Sequence, residues 1–141
     1  MKLVDHARTL IGSGADATLV TLNPDGTPQV SVVWMALQTT PDGDDELVCA
    51  HLMEHQKIRN VRRNNRVAVT ILSLDRSGPM TPYLSINGTA RIEEGGAPEL
   101  LAELAKTMIG ADAHFPPPDA PPGYLIRITI EKVGGMGPWA D

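Results

Sequence analysis

A chain of 141 residues with 42% hydrophobic residues has the size and composition of one soluble globular domain, and no linker or internal repeat divides residues 1–141. Its net charge of −5 argues against bulk attraction to nucleic acid or an anionic membrane, and no apolar run approaches the ~20 residues of a membrane span. The polar start at residues 1–10 does not read as a signal peptide, and the single cysteine, Cys49, allows no intrachain disulfide, so the chain reads as cytoplasmic.

Residues 3–12 predict a short helix, with Leu3, His6, Ala7 and Leu10 on one face and Gly12 and Gly14 ending it. Residues 17–22 read as a strand. Asn23-Pro24-Asp25-Gly26 then marks a tight turn, because Pro presets φ and Gly accepts a positive one. Residues 28–38 return, with Val30, Val32, Trp34 and Ala36 on one face and Ser31, Val33, Met35 and Leu37 on the other. Both faces are largely apolar, which predicts a central strand. A polar loop at 39–45 leads to an apolar strand at 47–50.

Residues 57–66 carry five cations and no acid, and predict a helix between two strands. Residues 67–72 form the next strand, and 73–82 a loop with Gly and Pro. Residues 83–93 alternate as a strand. Residues 98–109 predict a helix with Leu100, Leu101, Leu104 and Met108 at helical spacing. The segment 110–123 is too rich in proline for a helix or a sheet interior. It reads either as a lid that sets substrate choice or as a rigid connector. Residues 124–133 form a last strand, followed by a Gly-rich tail, mobile by composition, that contains Trp139. About six strands, mostly hairpin-linked, with a few short helices predict a mainly β, antiparallel barrel, closed or partly closed.

On a helix of 57–66, Arg59, Arg63 and Arg66 share one face, Ile58 and Val61 another, and Lys57 points away from the arginines. Lys57 falls in the first turn, where unpaired N–H groups and the dipole are already positive. A cation there is unfavourable unless an anion visits, which points to a ligand phosphate. The arginines lie near the C-terminal end, which favours cations, so they read equally well as a cofactor-tail site or as a solvated face. His51 and His55 straddle the strand-to-helix junction, and no second carboxylate beyond Glu54 accompanies them, so no metal site is expected. His6 and His114 read as surface residues. Neither a G-x-S-x-G elbow nor a G-x-G-x-x-G opening is present.

The order Asp25-Gly26, Pro28 to Trp34, Lys57-Ile58-Arg59-Asn60-Val61-Arg62-Arg63-Asn64-Asn65-Arg66, then Gly88-Thr89-Ala90 resembles the pyridoxamine 5′-phosphate oxidase-like split β-barrel proteins. Within them it is most similar to the flavin/deazaflavin oxidoreductases of the B type. The match covers residues 17–94 and extends to the C-terminal strand. It departs at Asn65, where the family usually has Pro, and at His55, where many members have Arg, Lys or Ser. The resemblance implies a split β-barrel homodimer with a cofactor at each subunit interface. The ring would lie against strand 30–35 (Val32, Trp34) and strand end 49–53 (Ala50, His51, Met53). Lys57 would bind the phosphate, with His55 and Gln56 beside it, Arg63 near a cofactor tail, and Trp139 of the second subunit closing the site. Trp34 reads equally as core, and Trp139 equally as a dimer contact or a loose tail.

The implied function is a coenzyme F420-dependent reductase passing a hydride to an electron-poor small molecule such as an enone or quinone. An FMN-dependent oxidase or reductase is the alternative, as is a non-enzymatic binder of deazaflavin, flavin or haem. Strand 30–35 lacks the basic residues that true pyridoxamine phosphate oxidases place there for the flavin phosphate. No catalytic acid is assigned. Tyr83 or His51 can donate a proton, and a structural hydrogen bond suits each at least as well.

Overall fold

The computed structural model describes residues 1–140. The elements in chain order are α1 (Asp5–Ile11), β1 (Ala15–Leu22), β2 (Pro28–Thr39), β3 (Asp45–His51), α2 (Gln56–Arg63), β4 (Arg66–Leu72), β5 (Tyr83–Glu94), α3 (Ala97–Met108) and β6 (Tyr124–Met136). The six strands close into an antiparallel barrel in the order β1-β2-β3-β6-β5-β4, so each strand has a neighbour on both sides.

Strand alternation sets the core. Leu19, Met35, Leu47, Cys49, Val69, Ile86, Ile126 and Ile128 point inward and are buried. The helices use the same logic at the barrel's margins. Leu3, Ala7 and Ile11 bury one side of α1's region, and Asp45 ties it down by accepting the Leu3 N–H at 2.8 Å and pairing with Arg8. The buried face therefore runs through Ile11 rather than His6, which is exposed. From α2, Ile58 and Val61 enter the core, as their spacing predicts. A fully buried Ile contributes about 1.5–3 kcal/mol, which anchors α2. α3 lies outside the barrel, with Ala97 and Leu101 against Val48, Ala50 and Leu125.

β2 is central, paired with β1 and β3 as its sequence predicts, although Val30 and Val32 on its outer face are 60% and 70% exposed. Two further expectations are corrected. The glycines after residue 133 continue β6 to Met136, which pairs with Tyr83. Trp139 is tied to the same place, its indole N–H donating to the Tyr83 carbonyl at 2.8 Å, so the tail is held. The helix at 57–66 ends at Arg63, and Arg66 opens β4, so Arg66 leaves the face it was to share with Arg59 and Arg63.

Gly88 explains the G-x-A pattern. The β5–β6 register shifts between Asn87 and Gly88, and a Cβ at Gly88 would sit 2.1 Å from the Thr129 carbonyl oxygen. Only glycine lets the two backbones approach so closely at this bulge.

Candidate functional site

The barrel is split between β2 and β3. Their ladder runs from Thr39↔Asp45 to Ala36↔Val48 and then stops, although β2 continues back to Pro28 and β3 forward to His51. The facing edges thus present main-chain donors and acceptors that do not serve each other. A cavity of about 250 Å³ fills the gap, with Val32, Val33 and Trp34 on one side and Ala50 and His51 on the other. Lys57, Leu101 and Phe115 complete its lining. Ser31, on the same stretch of β2, has a buried Oγ without a hydrogen-bond partner.

Lys57 is held by the start of α2. His55 takes an extended N-cap conformation without a side-chain cap, so the first N–H groups stay unsatisfied. Lys57 is only 9% exposed. Among the described residues no carboxylate acts on its ammonium: burial lowers its pKa, and Cys49 opposes this. An unpaired, desolvated cation at a helix start is a strong invitation to an anion.

Behind it, Cys49 and His51 sit on the inward side of β3. The Cys49 Sγ lies 3.3 Å from His51 Nε2. Burial raises the Cys49 thiol to about 12 despite the nearby Lys57, so this free, buried cysteine is held as an inert thiol. Burial, with smaller contributions from Lys57 and His55, lowers His51 to about 3. His51 is therefore a neutral imidazole at the back of the cavity. Among the described residues, no three His, Cys, Asp or Glu side chains converge as metal ligands.

Of the residues singled out by sequence, Val32, Trp34, Ala50, His51 and Lys57 share this cavity. The others lie outside its lining. Met53 and His55 are exposed on the turn after β3, although the His55 ring centroid is 6.1 Å from that of His51. Gln56 is half-buried and donates to Asn60 Oδ1 at 2.8 Å. Arg63 is engaged with the Leu22 carbonyl and, at 3.1 Å, with Asn60 Oδ1. Trp139 sits beside Tyr83, where β5 begins, whereas Arg62 of α2 reaches Glu94, where β5 ends. Within one chain, then, Trp139 is not part of the site.

Sequence reasoning missed three contributors. Asn60 is fully buried, and its Nδ2 donates to Thr21 Oγ1 and Asn23 Oδ1, each at 3.0 Å. It ties α2 to β1 and to the N-P-D-G turn, and so positions Lys57. A mid-helix Asn, a weak helix former, was the available signal. Leu101 was read only as part of an apolar helix face. Phe115, the chain's single Phe, meets Trp34 edge-on with centroids 5.8 Å apart. The proline-rich segment thereby covers one side of the cavity. Gly123 closes that segment with φ +61, where a Cβ would lie 2.4 Å from the His51 carbonyl oxygen.

The lining can hold a flat ring system between apolar walls, give its edge main-chain hydrogen bonds and pair a phosphate with Lys57. The profile of the family described as pyridoxamine 5′-phosphate oxidase matches residues 3–137. A solved F420 reductase is 26% identical over 90% of this chain and 94% of its own, with a TM-score of 0.72. The conserved hypothetical protein Rv2991 from Mycobacterium tuberculosis is 22% identical over 96% of this chain and 86% of its own, TM-score 0.66. HupZ from Group A Streptococcus is 19% identical over 99% and 98%, TM-score 0.68. The last two bear on the fold alone. No curated protein matches the chain.

Proposed function

The chain belongs to the pyridoxamine 5′-phosphate oxidase family, and from that premise we propose that it is an oxidoreductase that uses coenzyme F420. The observation that carries the proposal is the Lys57 ammonium, 9% exposed in the split and, among the described residues, without an acidic partner. Such a cation is costly to bury and is repaid by a phosphate. The unpaired β2 and β3 edges suit a ring rich in heteroatoms. When bound, the deazaflavin supplies a hydride to an electron-poor carbon, as in an enone or quinone, and a proton from water completes the two-electron reduction.

Lys57 anchors the phosphate, Asn60 fixes the helix that carries Lys57, and Trp34 with Val32 walls the ring. His51, kept neutral, adds no second cation beside the phosphate and offers its ring only as a hydrogen-bonding group. The F420 reductase neighbour and the absence of basic residues from Val30–Met35 favour F420 over FMN.

The site also calls for a second copy of the chain. At about 250 Å³ the cavity falls below the ~300–1,000 Å³ usual for ligand pockets. Its rim residue Val32 and the neighbouring Val30 are 70% and 60% exposed. A homodimer that covers them would complete two sites, with Trp139 of the second copy proposed to close each.

Absorbance and fluorescence test the cofactor. Protein purified without colour that quenches or shifts added F420 fluorescence supports F420, whereas protein that carries a yellow flavin redirects the reading to FMN. Lys57→Ala should weaken cofactor binding by about 1.5–3 kcal/mol, the worth of a charged hydrogen bond. An unchanged Kd in that variant sinks the assignment.

A further inference from the structure

Cys49 and His51 lie two residues apart on β3, so their side chains share one face of the strand. Pairing with β6 holds them in place, Cys49 opposite Ile126 and His51 opposite Tyr124. Cys49 is wholly buried and His51 is 8% exposed. The Cys49 Sγ stands 3.3 Å from His51 Nε2. Two arrangements can join these atoms: S–H donating to a bare Nε2, or Nε2–H donating to sulfur.

Chemistry decides between them. Sulfur is a weak acceptor, whereas the bare nitrogen of a neutral imidazole is a good one. Burial keeps the thiol protonated, raised to about 12, so the S–H hydrogen is always there to be placed. Its surroundings in the barrel, Leu47 and Ile126 among them, are apolar. Nε2 is the one hydrogen-bond partner it has among the described residues. Donation from sulfur leaves Nε2 bare. The ring is neutral, so its single hydrogen lies on Nδ1.

Among the described residues no protein group accepts that hydrogen, and an N–H on a side chain nine-tenths buried is costly to leave unpaired. His51 lines the same cavity of about 250 Å³ as Lys57, whose ammonium also lacks an acidic partner among the described residues. Neither can satisfy the other, since both donate. Two such donors in one small cavity suit a ligand group that accepts from both, an anion with several oxygens such as a phosphate. We infer that His51 is a second anchor for the anion at Lys57, donating from Nδ1–H to a phosphate oxygen, and that Cys49 is a positioning residue whose S–H···Nε2 hydrogen bond fixes the tautomer. The identity of that phosphate, as part of F420, rests on the oxidoreductase reading; the tautomer depends on no cofactor.

Long-range 1H–15N NMR of the free protein reads the tautomer. Wild type should show His51 Nδ1 as the protonated nitrogen and Nε2 as the bare one, and the reverse assignment overturns the inference. Inorganic phosphate at constant pH is the probe for the anchor. At saturation it should move the Nδ1–H proton downfield in wild type and leave it in place in Lys57→Ala. In Cys49→Ala the tautomer should no longer be fixed, and the F420 Kd should rise about three- to tenfold, the worth of one hydrogen bond. Cys49→Ser keeps a donor beside Nε2 and should restore both the Nδ1–H tautomer and most of the affinity. Nitrogen shifts unchanged in Cys49→Ala would reduce Cys49 to packing and overturn its positioning role. An Nδ1–H proton unmoved by phosphate in wild type overturns the anchor; F420 that still binds then leaves the cofactor reading intact. A phosphate shift in a protein that does not bind F420 does the reverse, so that the anchor stands and the F420 reading falls.

Discussion

Lowering the pH from 6.5 to 4.5 probes the floor of the split site through His51. Burial, then Lys57, then His55 lower this imidazole from 6.5 to about 3. In the unfolded chain it returns to its ordinary value. Between pH 6.5 and 3 the unfolded state therefore binds one more proton than the native state, and stability rises with pH across that window. His51's contribution is fully present above pH 6.5, is lost as pH falls, and stops changing below about pH 3. The limiting slope for one proton is about 1.4 kcal/mol per pH unit, so the step from pH 6.5 to 4.5 costs about 2 kcal/mol. Guanidinium unfolding at half-unit pH intervals measures it. His51→Gln keeps a polar side chain but cannot titrate, so its stability should fall less by that amount over the same interval. Parallel pH profiles for the two proteins, or a His51 ring NMR titration with a midpoint near 6.5, would refute a buried neutral imidazole.

Three further outcomes follow from the same contacts. Asn60→Ala should lose about 1–3 kcal/mol in denaturant unfolding, because Thr21 and the N-P-D-G turn lose their link to α2; a loss under 0.5 kcal/mol would dismiss Asn60 as the tie. Gly88→Ala should cost about 4 kcal/mol or more and reduce soluble yield, since its Cβ would overlap the Thr129 carbonyl. Gly26→Ala, with φ +84 and open space, should cost only about 1–2 kcal/mol, and equal losses at the two glycines would contradict the crowding argument. Val30→Asp with Val32→Asp should convert a species of twice 15.1 kDa into a monomer by light scattering, and a wild type that is already monomeric would end the dimer proposal.

Much of this architecture was legible one element at a time. The alternation in residues 83–93 matches β5, and Asn23–Gly26 turns as read, with Asp25 Oδ1 accepting the Thr27 N–H at 3.0 Å. Residues 57 and 58 were placed correctly on their separate faces, because helical periodicity and the dipole act within a few residues. Arg66 was misplaced because the turn at Asn64, which is extended, is stabilised by packing of the next strand: the Ala90 N–H donates to the Asn65 carbonyl at 2.8 Å. His6 was drawn into a buried face because Leu3 and Ala7 flank it, whereas Asp45, far along the chain, sets how α1 docks.

By itself the sequence determined the strand count, the turn chemistry, the basic helix after the third strand and the place of Lys57 at its start. These follow from period, propensity and helix electrostatics, all local. Only the tertiary structure decided that β2 and β3 part after Ala36 and Val48, and that Lys57 is buried there with no acid beside it among the described residues. Those depend on barrel closure, which brings residues tens of positions apart to one surface and leaves the β2–β3 ladder unfinished, with Lys57 and Phe115 lining the cavity in the gap.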